Sequence, residues 1–182
     1  SFYRANLHRF CIDYLQLNLY PFQIIMLYLM NIMYSTCFIC ARGLSKSYTT
    51  AVFLCARAIL YPGQLILVSC TTKEQSRALV REKISKELMK QSPMLRKEIK
   101  DIKVGTNETC VYFKNGSTIQ AINASENTRG LRCHILVIDE FVKVDPVVIT
   151  DVLKPFLTAP RQPEYLNNPK YAHLLEDNKE LY

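Results

Sequence analysis

Charge is missing from residues 14–41: no Asp, Glu, Lys or Arg stands between Asp13 and Arg42. A span of that length invites a membrane reading. Pro21, Gln23, Asn31, Ser35 and Thr36 interrupt it, however, and its last residues are wanted for a strand described below, so no membrane partner is expected. The start of the chain does not read as a secretory leader either, because a basic stretch running into an apolar one with a small-residue cleavage site is lacking. Internal repeats and low-complexity segments are also missing, which removes solenoids and disordered arrays. The seven cysteines are an odd number, at 11, 37, 40, 55, 70, 110 and 133, mostly inside apolar runs. A thiol so placed behaves as a small hydrophobe, and the pattern points to a reducing, cytosolic setting. Cys37 and Cys40 form a C-x-x-C, but no second pair accompanies it. On a strand, residues three apart face opposite sides, which disfavours zinc or redox chemistry.

What is present is an ordinary globular composition: 182 residues, 49% hydrophobic and 21% charged, enough for one domain with a sizeable core. The formal net charge is +7, and it is unevenly spread. Between Lys73 and Lys103 there are ten Lys or Arg against five acids, so this stretch carries +5. Such a segment suits a polyanion such as duplex DNA, or simply a solvated basic helix face; the residues alone leave both open.

Periodicity predicts helices over 4–19 and 22–33, broken at Pro21, then a strand over 36–40, a loop, and a helix over 47–60. The continuous apolar run 64–70 reads as a parallel strand buried on both faces, leading into a basic helix over 74–91. Alternation around Asn115-Gly116 predicts a hairpin of strands 109–114 and 117–122. The run 135–139 is a further buried strand, 146–157 a helix, and a Pro- and Asn-rich tail follows. Strands alternating with helices imply a mainly parallel α/β sheet flanked by helices, its ligand at the strands' carboxyl edge, with the hairpin as an antiparallel addition. The chain divides into N-terminal helices (1–34), an incomplete core (35–158) and a tail (159–182).

The loop between strand 36–40 and helix 47–60 reads Cys40-Ala-Arg-Gly-Leu-Ser-Lys-Ser47. Measured against G-x-x-x-x-G-K-[ST], Cys40 and Ser45 replace the glycines while Lys46 and Ser47 are in place. Strand, loop and helix in that order suit phosphate cradling, with small residues at Gly43 and Ser45 allowing close approach, Lys46 reaching the β- and γ-phosphates and the Ser47 hydroxyl on magnesium. Ile135-Leu-Val-Ile-Asp139-Glu140 supplies two adjacent carboxylates at a strand end. Asp139 is the candidate metal ligand and Glu140 the candidate general base. Arg42 within the loop could neutralise charge on the transferring phosphoryl group, and Arg129, beside Gly130, could reach a neighbouring subunit's nucleotide. Pro21-Phe22-Gln23 could serve adenine, Gln23 pairing with the base edge and Phe22 lying beneath the ring.

These residues together resemble the ATPase domain of the large terminase subunit of tailed bacteriophages, over roughly residues 19–156. The resemblance implies a P-loop NTPase fold that uses ATP and Mg2+. It implies that Lys46 and Ser47 bind phosphate and metal, that Arg42 assists hydrolysis in cis, and that Arg129 acts across a ring. It further implies a homo-oligomeric ring at a procapsid portal in the host cytoplasm. The portal protein, a small terminase subunit and double-stranded DNA gripped through its backbone would be the partners. Family members continue into a coupling motif and a nuclease domain with an acidic cluster; neither is visible before Tyr182, so the chain reads as truncated and no nuclease activity is expected of it. The rivals are a superfamily-2-like helicase or remodelling ATPase, and a degenerate remnant that binds nucleotide or DNA without turnover. The strand carrying a coupling motif normally inserts between the Asp-Glu strand and the phosphate-loop strand. With that strand expected beyond Tyr182, strands 36–40 and 135–139 should lie side by side with abnormal pairing or flank a gap.

Overall fold

A computed structural model describes residues 2–41, 43–70, 72–105, 108–123, 130–158, 160–161, 163–174 and 180–181. Its centre is a six-stranded sheet in the order β2-β3-β4-β1-β5-β6. Strand β1 (Leu65–Cys70) runs parallel to both β4 (Thr118–Asn123) and β5 (Ile135–Ile138). The remaining antiparallel part is β2 (Ile99–Val104) and β3 (Thr109–Phe113), the latter pairing β4 as the predicted hairpin. All four residues of β5 are buried, as the unbroken apolar run required of a strand covered on both faces.

One face is covered by α2 (Leu7–Asp13), α3 (Pro21–Ile32) and above all α4 (Lys46–Leu60). In α4 the run from Ala51 to Ala58 is buried without interruption, so this helix is hydrophobic all round and occupies the middle of the domain. The long basic helix closes the same side. It begins as α5 (Lys73–Ala78), where the Thr72 hydroxyl accepts from the Gln75 N–H, winds as a π-helix over Leu79–Leu88, and ends in α6 (Met89–Gln91). Its Leu79, Val80, Ile84 and Leu88 enter the core. Short α7 (Pro93–Glu98) follows, capped by Ser92. The opposite face packs α8 (Pro146–Val148) and the turns through Thr158 against Leu67, Leu136 and Ile138.

The hairpin turn is tied to the central helix. Gly116 takes φ +82°, and the Asn115 amide donates to the carbonyls of Ala58 (2.8 Å) and Ile59 (3.0 Å), filling acceptors that the end of α4 leaves open. Arg161 is fully buried and donates to the Pro62 carbonyl, so the segment expected as a tail packs on the domain from its first residues.

Strand 36–40 does not form. Only Ser35 makes an isolated bridge, residues 36–41 carry no regular pairing, and Ile39 is 97% exposed. The expected juxtaposition with β5 is therefore not found: among the described residues, the first half of its outer edge, Ile135 and Leu136, pairs in parallel with β6 (Glu180–Leu181). An apolar run becomes a strand only where a neighbour's backbone groups are free to pair. Here β6 holds the start of that edge, at Ile135 and Leu136. Strand β2 was not expected; its Lys-rich sequence carries no strand alternation, yet an edge strand tolerates such residues.

Candidate functional site

The carboxyl ends of β1 and β5 and the N-terminus of α4 converge. Asp139 leaves β5 with its N–H donating to the Ser69 carbonyl of β1 (2.9 Å), which fixes the strand end in register. Lys46, the first residue of α4, places Nζ 3.1 Å from Asp139 Oδ1. The same oxygen accepts from the Glu140 N–H at 3.0 Å. Two elements more than ninety positions apart in sequence thus meet through the lysine and carboxylate that the motifs singled out.

The loop before Lys46 shows why glycines are the usual choice. Gly43 has φ +89° and Ser45 φ +50°, so a side chain sits in a left-handed conformation where only glycine is free of strain. Residues of alternating hand turn successive N–H groups to one side, the concavity that binds anions. No Cβ at Gly43 would meet an atom within 4 Å, so conformation rather than space demands glycine there. Cys40 is half-buried and Ser47 half-buried in the first turn of α4.

Glu140 also has positive φ, +55°, a conformation that for a bulky residue is kept by its surroundings. Those surroundings are Lys143, whose Nζ donates to Oε2 at 2.9 Å, and Gln75, whose Nε2 donates to the same oxygen at 3.0 Å. The Lys143 hydrogen bond, with Gln75 and the nearby Lys46 charge, holds the Glu140 carboxyl below the usual carboxylate range. It is therefore ionised at neutral pH, the form a base or water-positioning group needs. Motif reading missed Gln75 and Lys143. Their signal was topological: both lie just beyond the carboxyl ends of neighbouring parallel strands, where α/β sheets assemble sites.

Gln23 is buried at the start of α3, its Oε1 accepting from the Tyr20 N–H at 2.9 Å. It lines a cavity of about 470 Å³ together with Ser45, Tyr20 and Tyr48, which joins the adenine motif to the phosphate loop. The aromatics lining this cavity are Tyr20 and Tyr48; Phe22 stacks on Tyr20, ring centroids 5.9 Å apart and planes 7° from parallel. Arg42 and Arg129 lie outside the described residues.

A magnesium ion would find suitable chemistry here, since Asp139 and Ser47 are hard oxygen donors and Mg2+ is commonly held by one carboxylate, a hydroxyl and substrate phosphates. No cluster of three or more His, Cys, Asp or Glu side chains exists among the described residues. No described helix is long and apolar enough to cross a membrane. In the basic helix, Lys83 pairs with Glu87 and Lys86 with Glu82, so part of its positive charge is answered within the helix.

Residues 37–177 match the family described as Terminase large subunit, T4likevirus-type, N-terminal. The large terminase ATPase domain of Thermus phage P74-26 superposes with a TM-score of 0.62 at 14% identity, over 81% of this chain. The large terminase of bacteriophage HK97 superposes with a TM-score of 0.60 at 17% identity, over 91% of this chain. The chain spans 63% of the Thermus phage domain and 32% of the HK97 protein. Comparison with curated proteins returns no match. At such identities the superpositions establish the α/β P-loop NTPase fold.

Proposed function

This chain belongs to the T4-like-virus type of terminase large subunits, and from that premise we propose that it is the ATPase part of a phage DNA-packaging motor, hydrolysing ATP to drive duplex DNA into procapsids. The observation that supports this most directly is the 3.1 Å contact between Lys46 and Asp139, which joins the phosphate loop to the acidic strand end in one site. Lys46 and the N–H groups around Gly43 and Ser45 hold the phosphates. Ser47 and Asp139 would hold magnesium, which would supply charge neutralisation on the phosphates. Glu140, kept ionised and oriented by Lys143 and Gln75, positions the attacking water and receives its proton. Arg42 stabilises charge in cis and Arg129 acts on a neighbouring subunit's nucleotide in a homo-oligomeric ring. The ring stands at the portal protein in the host cytoplasm, supplied with DNA by a small terminase subunit and gripping it through backbone phosphates. Residues 1–34 carry the adenine motif and 35–158 the catalytic core.

ATP binding and hydrolysis measured separately, with and without DNA, test this. Lys46→Ala should abolish tight ATP binding, whereas Glu140→Gln should bind ATP normally and lose roughly 10²–10⁴-fold in turnover. Wild-type turnover by Glu140→Gln removes Glu140 from the mechanism, and a wild-type chain that binds ATP without ever hydrolysing it returns the reading to a nucleotide-binding remnant.

A further inference from the structure

The cavity beside the phosphate loop carries two groups that phosphate chemistry does not use, Glu87 and Gln91, both from the end of the basic helix. Glu87 is the one formally charged side chain among the residues lining this cavity. A carboxylate repels a triphosphate, so it does not serve the end of the cavity at Ser45, next to the loop. It serves the other end, where a nucleoside presents O–H and N–H donors. Hydrogen-bond accounting gives the same polarity. Glu87 Oε2 accepts from Lys83 Nζ at 2.8 Å, leaving Oε1 as an acceptor. Gln91 Oε1 accepts from the Tyr48 hydroxyl at 2.6 Å, leaving its amide hydrogens as donors. Burial first, with Glu87 and Cys11 nearby, pushes the Tyr48 hydroxyl up to about 12, so it keeps its proton and holds the Gln91 amide in one orientation. Gln23 likewise offers its amide hydrogens, its oxygen being engaged by the Tyr20 N–H.

We propose that Glu87 and Gln91 form a nucleoside-recognition pair, the Glu87 carboxylate accepting from the donors of the ribose or the exocyclic amine and the Gln91 amide donating to an acceptor on the base. The pair rests on the ATP reading above and adds to it a contact from the basic helix. The helix that carries Lys83 and Lys86 would then touch the nucleotide directly, at a point sequence motifs do not mark.

Equilibrium binding of ATP and of inorganic tripolyphosphate, each with Mg2+, separates the two ends of the site. Glu87→Ala and Gln91→Leu should each weaken ATP about 10-fold and leave tripolyphosphate unchanged, since tripolyphosphate reaches only the loop. Glu87→Gln, which keeps the volume and loses the charge, should fall between wild type and Glu87→Ala. If the ribose is the partner, wild type prefers ATP to 2′-deoxy-ATP and Glu87→Ala loses that preference. If the amine is the partner, the same loss is seen against purine riboside triphosphate. Variants that bind ATP as tightly as wild type, or that weaken ATP and tripolyphosphate equally, overturn the pair while leaving the phosphate site intact. A wild-type chain that binds neither ligand refutes the nucleotide reading itself.

Discussion

Replacing Asp139 by Asn should have opposite effects on nucleotide affinity depending on whether magnesium is present. In the structure Lys46 rests on Asp139 at 3.1 Å, the two side chains 40% and 24% exposed. An incoming phosphate must take Lys46 away from that partner. At this separation the Coulomb term runs from ~1 kcal/mol in a water-like dielectric to ~5 kcal/mol at an effective dielectric of 20. Partial exposure and the cost of desolvating both charges bring the net worth of such a pair to about 1 kcal/mol. Asn keeps an oxygen for the Glu140 N–H, so the strand end stays in place and only the charge is lost. Without magnesium, Asp139→Asn should therefore bind ATP about 5-fold more tightly than wild type, because ~1.4 kcal/mol is a factor of ten. With magnesium it should bind more weakly, having lost a metal carboxylate. Titration calorimetry in EDTA and in Mg2+ gives both numbers. Equal weakening under the two conditions would refute the reasoning: Asp139 would then be a structural residue and not a resting partner of the phosphate-loop lysine.

Asn115→Ala removes two hydrogen bonds to the end of α4 and one accepted from the Ser117 N–H, and at about 1 kcal/mol each should cost about 2–3 kcal/mol, read as a shift in denaturation midpoint with ATP affinity unchanged. His134 is held neutral, mainly by burial and further by the Arg161 charge, with its Nδ1 accepting from the Leu65 N–H. Because its folded pKa is lowered, its contribution is complete above the unfolded value and is lost as pH falls from there through the folded pKa, with a slope of at most ~1.4 kcal/mol per pH unit. Urea unfolding of wild type and His134→Asn between pH 8 and 5 should show the variant's curve flatter, and parallel curves would dismiss the role. Rings mixing Arg129→Ala with Glu140→Gln subunits should regain part of the ATPase activity if Arg129 acts across a boundary; purely additive activity would confine it to its own chain.

The phosphate loop, the acidic strand end and the glutamine motif could be read from residues alone because each is local: a few consecutive side chains carry the chemistry, and the elements holding them are fixed by short-range patterns. The buried strands β1 and β5, the helix α4 and the Asn115-Gly116 hairpin follow for the same reason, since continuous burial, helical period and a two-residue turn are all properties of one segment. Pairing between segments is not. Residues 36–40 have the composition of a buried strand, yet they carry no regular pairing, Glu180–Leu181 pairs with the first two residues of β5 instead, and backbone groups without a partner do not make a strand. Ile99–Val104, with three charged side chains, becomes a strand because β3 offers it an edge. The surroundings of Glu140 and the lining of the cavity beside Gln23 and Ser45 were settled the same way. Gln75, Lys143, Glu87 and Gln91 carry no motif, and what makes them matter is the parallel sheet and the helix packed on it, which bring together groups that the chain itself holds dozens of residues apart.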